Sequence, residues 1–404
     1  KKILDLWDLW VEQADLDGHT NFYGLQRLVM SEQFISGEAF TRMITRNPEL
    51  KKWEHLEVPL QLQVLGSEML PISLSTSVGG GGNFLGGKLR KTSILRNGLE
   101  YDKTGTELRA YWFYQRNPGD ATLVANDIIR PDLYVRVPVE TVSHLFIKDN
   151  AQQIRGVPTL APTIVRLWLM NQYDDAELDR KKTAAMFAVA LSSNSLEDTL
   201  DVLGLSGGDA QALYTDGMRA IPTELQPGMI MMTPPGTTIE TIKPADNPTG
   251  YSDFQTNNLR ALASGINIPY SALSSDYSQA NYSSERAALI TNKRTVEGLQ
   301  ETLIVPQFCQ KVWIAWLETA VLAGKLPSSI LSGEDKNQVL MPEWIPQAWD
   351  WIDPLKDRQA EVLAIQNKIK PLSRVQREEG SDPDMVTEAM IKDAERGVRI
   401  EEAG

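Results

Sequence analysis

The sequence predicts an α+β protein, predominantly helical, on three observations. Apolar residues recur at helical spacing along most of the chain, and runs that alternate apolar with polar interrupt them between residues 58 and 139. The composition, 42% hydrophobic and 23% charged, is that of an ordinary soluble protein. At 404 residues the chain can bury a substantial core, enough for roughly two to four folding units.

Taken in order, Ile3, Leu6, Trp7, Trp10, Leu16, Phe22, Leu25, Leu28 and Val29 space as two helices broken near Asp17-Gly18. Residues 28 to 46 mix apolar and polar around Gly37 and end on the turn-like Asn47-Pro48. Pro59 to Leu65 alternates like a half-buried strand, and residues 75 to 87 form a glycine-rich loop. Strand-like runs follow at 98–102, 108–115 and 133–139, with turns at Lys103-Thr-Gly105 and Asn117-Pro-Gly119. Pro158 and Pro162 suit the opening of a long helix to about Leu191, within which Glu177 and Lys181 stand four apart as a weak ion pair. From Ser192 to Asn247 the chain turns rich in Ser, Gly, Asp, Pro and Met, as in a small inserted module with a short helix at 208–220 and a β-like run at 228–232. A helix resumes over Tyr251 to Ser264 and stops at Gly265. Ser283 and Ser284 offer an N-cap for a helix to Ala323, which Pro306 should kink and Gly324 with Pro327 should end. Residues 344 to 404 carry two or three short, charged helices.

A net charge of −13 argues against a sequence-reading nucleic-acid binder, whose phosphate contacts demand Lys and Arg. It does not argue against a protein that surrounds DNA without gripping it. One cysteine, Cys309, allows no intrachain disulfide and points to a reducing compartment. The apolar stretch 303–322 is broken by Gln307, Gln310, Lys311 and Glu318, too polar for a membrane span. Lys1 opens directly on an amphipathic pattern rather than a signal peptide, and the absent initiator Met points to an N-terminus upstream.

Gly82 to Lys88 satisfies G-x-x-x-x-G-K, but Leu89 stands where a Mg²⁺-binding hydroxyl must be. An ATP-driven DNA-handling enzyme built on that loop is the alternative reading, and it also wants a strand-end carboxylate that no apolar β run supplies. His19, His55 and His144 lie too far apart for a metal motif, and His144 in Val142 to Phe146 reads as a structural histidine. Asp174, Asp175, Glu177 and Asp179, beside Arg180, Lys181 and Lys182, read as a solvated mixed-charge face. No catalytic constellation, cofactor or metal is expected, and the chain is read as not an enzyme.

One stretch remains, Gly265 to Arg286, a polar loop between two helices in which Tyr270, Tyr277 and Tyr282 alternate with Ser, Asn, Asp and Gln. Its pattern Ile268-Pro-Tyr270, Leu273-Ser, Asp276-Tyr277-Ser, Asn281-Tyr282-Ser283-Ser284 and Arg286 resembles the portal protein of lambda-type tailed bacteriophages. Gly37-Glu-Ala-Phe40, Val58 to Gln63, His144-Leu-Phe146, Arg155-Gly156-Val-Pro, Trp344-Ile-Pro, Trp351-Ile-Asp353-Pro354 and Glu379-Gly380 resemble the same family in the same order. The chain departs from it at Gln152-Gln153-Ile154, where the family has a Gly-Gln-x step.

The resemblance implies a ring, commonly of twelve subunits, at a capsid vertex, through which double-stranded DNA passes during packaging and ejection without sequence recognition. Residues 1–160 would be the first part of the wing, 161–191 a stem helix, 192–249 the clip, 250–265 the second stem helix, 266–340 the channel loop with a long kinked wing helix, and 341–404 the crown. Asp276, Gln279 and Asn281 would line the channel, with Tyr277 and Tyr282 touching DNA or bracing the loop, and Glu285 and Arg286 pairing within or between subunits. Met218, Met229, Met231 and Met232 of the clip would meet terminase and then head-completion or adaptor proteins, or fill subunit interfaces. The major capsid protein is the remaining partner, no membrane is involved, and the location is the virion, with assembly in the host cytoplasm. A non-portal neck or baseplate ring is the other structural alternative.

Overall fold

The computed structural model describes residues 2–75, 93–119, 133–186, 189–191, 230–232, 248–278, 281–333, 336–349 and 354–403. It divides into two compact units, Lys1–Thr159 with Ala280–Gly404, and Leu160–Gln279.

In the first unit, helices α1 (Lys2–Val11) and α2 (Phe22–Ser36) are parted by a turn in which the buried Asp15 carboxylate accepts from the backbone N–H groups of His19 at 2.8 Å and Thr20 at 3.1 Å. Asn21 caps α2 by accepting from Gly24 N–H. The helix ends at Gly37, whose φ of +90° only glycine adopts freely, and a side chain there would meet the Val157 backbone at 2.4 Å. Strands β1 (Glu38–Thr45), β2 (Leu60–Leu65) and β7 (Val142–Phe146) form an antiparallel sheet in the order β2-β1-β7. Between β2 and β7 in the chain, β3 (Ile94–Arg96), β4 (Leu99–Tyr101), β5 (Leu108–Tyr114) and β6 (Tyr134–Pro138) make a second antiparallel sheet.

β2 is the strand that its alternation marks, whereas β1 escapes such a reading. In β1 four successive residues, Glu38 to Thr41, are buried, so the period-2 signal is missing. Within β2 one polar residue departs from the half-buried pattern: Gln61 is buried, its amide donating to Asp15 C=O and accepting from Arg46.

The helical run that begins at Tyr282 is continuous to Leu322, as α6 (Tyr282–Leu299), a π-helical stretch (Gln300–Cys309) and α7 (Gln310–Leu322). Pro306 sits in the wide turns, which suits a residue that lacks an N–H and clashes with an α-helical i−4 carbonyl. The run therefore accommodates its proline without a break. Gln307 follows, and its amide accepts from Phe146 N–H at 2.9 Å and donates to Phe146 C=O at 3.2 Å, sealing the outer edge of β7. The main core lies between this run, α1, α2 and the first sheet. Trp7 packs against Trp10, Phe22, Trp313, Trp316 and Trp344, and Phe22 stacks on Phe308 at 5.6 Å. Helices α8 (Ser329–Ser332), α9 (Lys336–Leu340), α10 (Pro354–Gln366), α11 (Leu372–Glu378) and α12 (Pro383–Ala403) complete the unit. At 21 residues α12 is longer than the short helices expected there, because the charges that suggested a solvated surface lie along one helix.

The second unit holds α3 (Ile164–Met186), the parallel pair β8 (Val189–Leu191) and β9 (Ile230–Met232), α4 (Pro248–Gly265) and α5 (Tyr270–Ser274). Contrary to the expectation for Pro158 and Pro162, α3 starts only at Ile164, after a turn closed by Thr163 N–H and Ile164 N–H on Leu160 C=O. It also stops short of Leu191, which is part of β8. α3 pairs with α4 through Tyr173, whose ring lies 4.4 Å from Phe254 and 6.0 Å from Tyr251, and through Asp174, which accepts from Tyr251 and Gln255.

Candidate functional site

The stretch from Gly265 to Arg286 is built from local hydrogen bonds rather than core packing. Gly265 closes α4 against Thr163, Asn267 takes a positive φ of 61°, and Pro269 opens the five-residue α5, a helix that the polar composition of the stretch conceals. Ser275, also at positive φ (54°), ends it, and the chain then turns around Asp276. Asp276 N–H donates to Ser274 Oγ at 3.2 Å, while its carboxylate accepts from Ser278 N–H at 3.0 Å and from the Tyr270 hydroxyl at 3.2 Å. These bonds hold its carboxyl below the ordinary carboxylate range, first through Ser278 and further through Tyr270 and the Arg260 charge. Arg260 stands over the Tyr270 ring at 5.4 Å. The result is a braced turn carrying a carboxylate that stays ionised, with Tyr277 61% exposed beside it.

On the far side the cap differs from the expected Ser283 and Ser284. Asn281 is the N-cap of α6, accepting from Ser284 N–H at 2.9 Å, and Ser284 Oγ accepts from Asn281 N–H at 3.2 Å in a reciprocal capping box. The shift of two residues arises because asparagine reaches the third N–H of the helix as well as serine does. Arg286, in the first turns of α6, pairs with Asp357 of α10 at 3.1 Å. Glu285, half-buried in the first turn of α6, also has an interaction partner.

Of the residues expected to line a channel, Asp276, Tyr277 and Asn281 are exposed within this stretch, and the Asn281 side chain is engaged in the cap. Gln279 and the side chain of Tyr282 lie outside the described residues, as do Gly82 to Lys88, Met218, Met229 and Trp351 to Asp353. Met231 and Met232 belong to β9, their side chains outside the description. Among the described residues no group of His, Cys, Asp and Glu could hold a metal ion, and no helix is long and apolar enough to cross a membrane.

A second polar cluster, unmarked by any spacing in the sequence, is buried in the first unit. Glu38, at the start of β1, accepts from Arg155 Nε at 2.7 Å, Gly156 N–H at 2.9 Å and His144 Nε2 at 3.0 Å. Arg155 donates its other N–H groups to the carbonyls of Asn97, Leu70 and Ser67. Burial alone would raise the Glu38 carboxyl, but the bonds from His144 and Arg155 outweigh it and hold it below its ordinary value. Burial lowers the His144 pKa, with Glu38 opposing. At the departing Gln152-Gln153-Ile154 step, the Gln153 amide accepts from Asp149 and Asn150 N–H and donates to the Ile147 and Arg155 carbonyls. The signal for this clasp was the pair of short stretches around Glu38 and Arg155, 117 residues apart in the chain.

Residues 1–300 match the family model described as "Phage portal protein, lambda family". The chain is 24% identical over 392 residues to the "Probable portal protein" of Halomonas phage phiHAP-1, covering 96% of this chain and 68% of that protein. It is 24% identical over 252 residues to the "Portal protein" of Escherichia phage N15 and 23% identical over 252 residues to "Portal protein B" of Escherichia phage lambda. Each of those two matches covers 59% of this chain, which spans about half (47%) of either relative's length. Among solved structures, "Neck of empty GTA particle computed with C6 symmetry" aligns at a TM-score of 0.43 and 14% identity, over 94% of this chain and 83% of that one. "Virion of native gene transfer agent (GTA) particle" aligns at 0.38 and 12%, over 84% and 85%.

Proposed function

The chain belongs to the lambda family of phage portal proteins, ring-forming head-tail connectors of the virion, and from that premise we propose that its Gly265–Arg286 stretch is the loop that faces DNA in the ring's channel. The observation that carries this reading is a braced, exposed turn that contains no lysine or arginine from Gly265 to Glu285. Double-stranded DNA carries one charge per about 1.7 Å of its axis, and a basic lining would hold it by releasing counterions. Hydroxyls, amides and the ionised Asp276 instead offer the duplex a surface of low adhesion. Tyr277, exposed at the turn, meets the duplex, and Asp276 keeps the turn in shape.

In this reading twelve copies form the ring. Residues 1–160 and 266–340 are wing and channel loop, 161–191 and 250–265 the stem, 192–249 the clip and 341–404 the crown. The clip, with Met218, Met229, Met231 and Met232, docks terminase during packaging and a head-completion protein afterwards, and the wing meets the major capsid protein. Assembly takes place in the host cytoplasm. The chain itself catalyses nothing, and the motor is the partner's. The family match favours the connector over an ATP-driven enzyme built on Gly82 to Lys88. Deleting residues 274–282 tests the loop: particles of normal form should lose genome packaging or retention. Unchanged packaging and retention in such particles would remove the loop from the channel.

A further inference from the structure

The first two turns of α3, Ile164 to Met170, carry one polar side chain, Arg166, which donates to Asn258 of α4 at 3.2 Å; the rest are apolar. Thr163 and Met170 are buried, and Tyr173 and Asp174 pack on α4. The remaining large apolar side chains there stand in solvent: Ile164 (53% exposed), Val165 (66%), Leu167 (45%), Trp168 (58%) and Leu169 (53%). Apart from the side that faces α4, this end of the helix presents only apolar side chains, as a helix covered on those faces does. At 3.6 residues per turn the exposed residues fall on two flanks of the line that faces α4. Ile164 and Leu167, with Leu178 two turns or more further on, lie on one flank, and Val165 and Leu169 on the other. Trp168 points away from α4 between them.

The two-flank pattern selects the occupant. A two-fold dimer needs one self-complementary patch, whereas a copy in a closed ring needs two different patches, one for each neighbour. The five side chains expose roughly 500 Å² of apolar surface, a large share of the ~800 Å² that each partner contributes to a standard interface. Resting on the reading that the chain forms a ring, we propose that this end of α3 is a seam between neighbouring copies, the Ile164 and Leu167 flank of one copy packing on the Val165 and Leu169 flank of the next.

Disulfide trapping in the full chain tests it, because the one native cysteine, Cys309, is buried. The double variant Leu167→Cys with Leu169→Cys should, on oxidation, give a ladder of covalent multimers in non-reducing electrophoresis. Each single variant should stay monomeric, because its cysteine faces an apolar flank without a thiol. Covalent dimers from a single variant would replace the seam by a two-fold contact. Monomers from the double variant, in a sample whose micrographs show rings, would move the seam elsewhere and leave the ring reading intact. Absence of rings from the unmodified chain in the same micrographs would overturn both.

Discussion

Glu38 ties three segments together, and its chemistry is one part of how the first unit responds to acid. Its carboxyl is held below the ordinary value of 4.5, so its contribution to stability is complete above that value and is lost as pH falls toward the lower folded value. His144, held neutral by burial, acts in the same direction from a higher starting point: below its ordinary value of 6.5 the unfolded chain takes up a proton that the folded one resists. The denaturation midpoint should therefore fall in two stages on acidification, the first beginning near the ordinary histidine value. Glu38→Gln leaves Arg155 buried without a counter-charge and should cost about 3 kcal/mol at neutral pH, with the lower acid stage reduced to what Glu100, held low against its burial by bonds to Arg136, contributes. Urea titrations from pH 8 down to about 2.5, below the lowered carboxyl value, measure both. An unchanged midpoint for this variant at neutral pH would show that the clasp is not where the unit derives its stability.

At the scale of elements, the π-helical stretch does more than tolerate a proline. It turns Gln307 toward β7, where one amide satisfies both polar groups of Phe146 on the strand's open edge, and Ser143 Oγ donates to the Gln307 carbonyl. Gln307→Ala should leave that N–H and C=O unpaired and cost about 1–3 kcal/mol, whereas a solvent-facing glutamine would cost almost nothing. Chemical denaturation of the variant decides between them. The helices of the main core were legible because the tryptophans at 7, 10, 313 and 316 follow helical spacing and do form that core. The π widening was not, since its residues keep an ordinary apolar pattern and the proline alone suggested a kink. β1 stayed hidden for the opposite reason, its residues being buried on both faces.

For the whole molecule, the candidate loop was legible as a polar, tyrosine-bearing stretch and as a likeness to a family, but its internal architecture was not. The α5 helix, the Asp276 turn and the Asn281 capping box rest on short hydrogen bonds between polar side chains and backbone, which composition alone does not distinguish from an open loop. On the channel-loop proposal the architecture matters because a braced turn would present the same face in every copy of the ring, so a small change of charge would be repeated around the bore. A chain of net charge −13 with no basic residue in that loop should pass DNA with little dependence on salt. Replacing Tyr277, whose exposed side chain takes no part in the bonds that brace Asp276, by lysine adds one phosphate-binding charge per copy without disturbing that brace. Each charge that engages a phosphate should steepen the fall of log affinity with log salt by about 0.9. DNA retention by assembled Tyr277→Lys particles should then rise at low salt and decline steeply toward 200 mM, while the unmodified particles stay flat. A flat response from both would place Tyr277 away from the duplex, and a steep response from both would mean that basic residues elsewhere in the ring govern DNA contact.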